Sequence, residues 1–129
     1  GHTTAFVEPI SVEFAGVRVY EVPPSGQGIA ALLALNILKE LGVAAPNTNT
    51  LAGGEGDGVC KAAVGGVGVG AGEGEGQAAY LHRLIEVLRL AFADTNWYCA
   101  DPDKVEVPVA ELLGRTYAVE RAGLFDPAR

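Results

Sequence analysis

Eleven of the chain's eighteen glycines fall between Gly53 and Gly76, and that concentration cuts the 129-residue sequence into two stretches able to build a core. Each ordered glycine loses more backbone entropy than any other residue. The interleaved Ala, Val and acidic residues (Glu55, Asp57, Glu73, Glu75) add little side-chain area to offset it. Residues 43–76 are therefore expected to be a mobile insertion, leaving residues 1–42 and 77–129 to fold. The repeats make no phosphate loop. A Walker-type loop needs Gly-Lys-Ser/Thr opening a helix, whereas Lys61 follows Cys60 and leads into Ala62-Ala63.

The first stretch reads as a hairpin followed by a buried helix. Ser11 to Phe14 alternates polar and apolar residues, Ala15-Gly16 offers a tight turn, and Val17 to Val22 is rich in β-branched and aromatic residues. Pro23-Pro24 ends the second strand by removing two ladder donors. From about Gln27 the pattern turns helical and Ile29 to Leu35 is apolar almost all round, which is the composition of a helix covered on most sides. Gly42 closes it as a left-handed C-terminal residue. Two short strands are marginal alone in water, so they are expected to join a larger sheet.

The second stretch opens with the clearest amphipathic helix, Gln77 to Asp94. Leu81, Leu84, Ile85, Leu88 and Phe92 are expected to pack, while His82, Arg83, Glu86 and Arg89 face solvent. Trp97-Tyr98 is expected to pack the helix end. Asp94 is expected to cap or pair locally, Asp101-Pro102-Asp103 is turn chemistry, and Val109–Leu113 and Thr116–Ala122 read as short helices.

A formal charge of −7 with scattered Lys and Arg excludes a nucleic-acid or anionic-membrane surface. The longest strongly apolar run, Ile29 to Leu35, is far short of the roughly 20 residues a membrane helix needs. Cys60 and Cys99 are too few and too far apart for a disulfide scaffold and lack metal-ligand spacing. With Gly at position 1 and no methionine, the chain reads as part of a longer product.

Four patterns invite a catalytic or binding role and fail on chemistry. Gly26-Gln27-Gly28-Ile29-Ala30-Ala31 matches a dinucleotide fingerprint, but Pro23-Pro24 intervenes and the strand before it belongs to a hairpin, not to a parallel βαβ unit. His82 and Glu86 have ordinary i,i+4 spacing on a polar helix face. Asp94, Asn96, Asp101 and Asp103 lack the glycine and terminal glutamate of a calcium loop. Thr3-Thr4 reads as a linker pair.

Glu8-Pro9-Ile10-Ser11, Pro23-Pro24-Ser25-Gly26-Gln27-Gly28, and Leu90-Ala91-Phe92-Ala93-Asp94 leading to Ala100-Asp101-Pro102 occur in that order. Together they resemble the C-terminal part of the large subunit of the γ-glutamyltransferase family (γ-glutamyltranspeptidase, glutathione hydrolase). Val17-Arg18-Val19-Tyr20-Glu21, Ala34-Leu35-Asn36-Ile37-Leu38, Tyr80-Leu81-His82 and Val107-Pro108-Val109 extend the resemblance. It runs from about Val7 to Leu41 and from about Tyr80 to Leu124. The family usually has a short connection where this chain has Ala44 to Gly76, and often an arginine where Ala15 stands.

The resemblance implies an α+β piece of an N-terminal-nucleophile hydrolase with an αββα sandwich, made as a precursor that cuts itself in two. It implies γ-glutamyl amide cleavage, as of glutathione, by an N-terminal threonine expected downstream of Arg129, with no metal or organic cofactor. No residue here receives a catalytic or substrate-binding role. Pro23, Pro24, Gly26, Gly28, Asp94, Asp101 and Pro102 are structural motif positions. The implied partners are the rest of the precursor and the small-molecule substrate. A related acylase acting on cephalosporin or glutaryl side chains and a non-catalytic α+β interaction module are the alternative readings.

Overall fold

A computed structural model describes residue 4 and residues 6–43 and 77–128. Most of the expected insertion (residues 44–76), together with Thr3 and Cys60, lies outside the described residues.

Strands β1 (Ile10–Phe14) and β2 (Val17–Glu21) pair antiparallel with Val12 opposite Val19 and Phe14 opposite Val17. Ala15 and Gly16 join them with φ of 53° and 78°. Positive φ at both central residues lets a two-residue loop follow the strands' twist. Strand alternation puts Ile10, Val12 and Phe14 on one face, where Val12 is buried and Ile10 and Phe14 pack on the core. Glu13 and Arg18 stand opposite each other on the other face and pair at 3.8 Å.

Helix α1 (Gly28–Glu40) is the centre of the fold. Ile29, Leu32, Leu33 and Ile37 are almost wholly covered, as the all-round apolar sequence requires. The hairpin, helix α2 (Gln77–Tyr98) and helix α4 (Arg115–Ala122) all pack on α1, and the short helix α3 (Val109–Leu112) adds Leu112 to the shared core. The end of α1 is closed by a paired motif. The Gly42 N–H donates to Lys39 O (3.1 Å) and the Val43 N–H to Leu38 O (3.0 Å), with Gly42 at φ 71°. The result is an α+β unit, and among the described residues no helix is long and apolar enough to cross a membrane.

Helix α2 departs from its expected packing. It runs a full turn past Asp94, and the side it turns to the core carries Val87, Ala91, Asp94 and Thr95. Leu81, Ile85 and Phe92 are instead 46, 55 and 45% exposed. The periodicity located the middle of a broad apolar arc, but α1 covers only one flank of that arc. Trp97 does not pack the helix end, being 83% exposed, while Tyr98 meets Tyr117 edge-on at 6.4 Å.

Candidate functional site

The motif positions fall into two groups. Pro23, Pro24, Gly26 and Gly28 form the connection from β2 into α1, with Pro24 buried. A methyl group at Gly28 would come within 2.8 Å of Glu21 Cβ and closer still to its carboxylate, so only glycine lets the Glu21 side chain lie across the first turn of α1. A carboxylate there faces the positive end of the helix dipole. At Gly26 a methyl group would meet Val22 Cγ2 at 3.2 Å. The stretch that imitates a dinucleotide fingerprint is thus a strand-to-helix packing junction. Its strand is antiparallel to its one neighbour among the described residues.

The second group centres on Asp94, only 5% exposed. Asp94 does not pair locally. Its Oδ1 accepts from Arg121 Nη2 at 2.7 Å, joining the last turns of α2 to α4 across 27 positions of sequence. The same Arg121 nitrogen donates to the Tyr117 hydroxyl at 2.7 Å, one helical turn back, and the guanidinium lies 4.9 Å from the Tyr117 ring centre. Asp94 Oδ2 and Arg121 Nε are buried without a further hydrogen-bond partner among the described residues. Burial raises the Tyr117 hydroxyl above its ordinary pKa; the bond from Arg121 opposes this and the nearby Asp94 carboxylate adds to it. For Arg121 burial pulls down, but Tyr117 and Asp94 outweigh it, and the guanidinium is held above its usual value. Thr95 donates its hydroxyl to Ala91 O at 2.8 Å, so the buried polar residue beside Asp94 is satisfied within the helix.

Asp101 starts the turn after α2. Its carboxylate accepts from the Asp103 N–H at 3.0 Å and its carbonyl from Lys104 and Val105, with exposed Pro102 between. Cys99, half-buried and free, has its thiol pKa raised by burial. His82 and Glu86 do not pair: Glu86 accepts from Arg89 at 2.6 Å, and the His82 ring lies 5.8 Å from that of Phe125.

A cleft of about 520 Å³ opens between the hairpin, α1 and α4, lined by Ser11, Glu13, Asn36, Lys39, Glu40 and Arg115. Its charges are engaged. Lys39 donates to Glu13 O at 3.3 Å, Arg115 pairs with Glu40 at 3.2 Å, and Asn36 Nδ2 donates to Leu113 O at 2.9 Å, the carbonyl at the C-terminal end of α3. Among the described residues no three His, Cys, Asp or Glu side chains are placed to hold a metal ion. The polar clusters join elements to one another.

The gamma-glutamyltranspeptidase family model matches residues 1–129, and the chain belongs to that family. Among curated relatives it is similar to a glutathione hydrolase-like YwrD proenzyme of Bacillus subtilis, at 26% identity over 94% of this chain and 18% of the relative. It is also similar to an acylase ACY 1 proenzyme of a Pseudomonas strain, at 32% identity over 92% of this chain and 17% of the relative. Among solved structures, the gamma-glutamyltranspeptidase of Pseudomonas nitroreducens complexed with L-DON superposes with a TM-score of 0.64 at 26% identity, covering 95% of this chain and 30% of that one. A cephalosporin acylase of Bacillus halodurans gives 0.62 at 33% identity, covering 93% and 17%. The chain thus spans under a fifth of the length of these curated relatives.

Proposed function

We propose that this chain is the hairpin-and-helix part of the large subunit of a proenzyme that cleaves γ-glutamyl amides, glutathione among them. The single observation that carries the reading is the family match over the whole chain, joined by relatives that are themselves proenzymes. In this reading a threonine outside residues 1–129, freed as an N-terminus by self-cleavage, attacks the amide carbonyl while its own α-amine accepts the hydroxyl proton. The amine half leaves with a proton and a γ-glutamyl ester remains. Water or an acceptor amino acid opens that ester, releasing glutamate or a new γ-glutamyl amide and restoring the hydroxyl.

Residues 1–42 and 77–129 then serve as scaffold, with residues 43–76 inserted between them. The hairpin lends two strands to a larger sheet, α1 and α2 pack against that sheet, and Asp94–Arg121 fixes the course of the chain through α4. The partner is the remainder of the same precursor, and the 129-residue piece alone is inactive. The test is hydrolysis of a γ-glutamyl anilide by the complete protein, with release of the aniline expected and its absence contrary to the reading.

The 33% identity to a cephalosporin acylase favours a second reading, in which the same scaffold serves a glutaryl-type acyl group. Offering the complete protein a glutaryl amide beside the γ-glutamyl anilide separates the two.

A further inference from the structure

We draw no further inference here: the strongest candidate, the polar cleft between the hairpin, α1 and α4, has Lys39, Glu40 and Arg115 engaged with partners inside the fold, and nothing in the structure shows what fills or covers it.

Discussion

Asp94 is held in place by an arginine from a helix that begins twenty-one residues further along the chain. Removing one member of a buried ion pair leaves the other charge without compensation, at a cost of about 3–5 kcal/mol when both are fully buried. Arg121 is about a quarter exposed, so Asp94→Asn in the complete protein is expected to cost about 2–3 kcal/mol, read as a lowered denaturant midpoint. Pairing it with Arg121→Gln should recover part of that loss, because the double variant leaves no lone charge; strict additivity would show that the pair is not coupled. Tyr117 supplies a pH signature. Its pKa is raised in the fold, so its contribution is fully present below the ordinary tyrosine value of 10.0 and is lost as pH rises through the higher folded value. Tyr117→Phe is expected to remove that alkaline loss of stability, measured as melting temperature against pH from about 9 to 11.

At the scale of elements, the two turns make opposite predictions. Ala15 holds φ 53° without the side-chain hydrogen bonding or freedom that suits a left-handed residue, so Ala15→Asn is expected to stabilise the hairpin by about 0.5–1 kcal/mol. Gly28→Ala drives a methyl group into Glu21 and is expected to cost about 1–3 kcal/mol, with the melting temperature as the measure and no change counting against the close approach. The hairpin, α1, its glycine stop and the two short terminal helices were legible in the sequence because local rules decide them: strand alternation, turn residues and an apolar helix with a positive-φ residue at its end. The packed face of α2 was not legible. Periodicity reports where apolar side chains lie around a helix, not which part of the arc a neighbour reaches, and α1 reaches only Val87, Ala91 and their line. Asp94–Arg121 and the Asn36 bond to the Leu113 carbonyl were hidden for a related reason, since no local pattern announces a partner 27 or 77 positions away.

For the whole molecule, the described residues form one shared core around α1 with apolar side chains left outside it on α2 and on the hairpin, where Val17 and Tyr20 are exposed. Such a body suits a scaffold within a larger enzyme. Replacing Leu88, which packs against the core, by Asp buries an unpaired charge and is expected to abolish folding and self-cleavage of the complete precursor together; a variant processed like its parent would contradict the placement. The most direct measurement is the intact mass and new N-terminal residue of the complete protein after expression. The account predicts two chains, the larger containing residues 1–129 and the smaller beginning with threonine, and together hydrolysing a γ-glutamyl anilide. A single uncut chain, or a smaller chain beginning with any other residue, would contradict it.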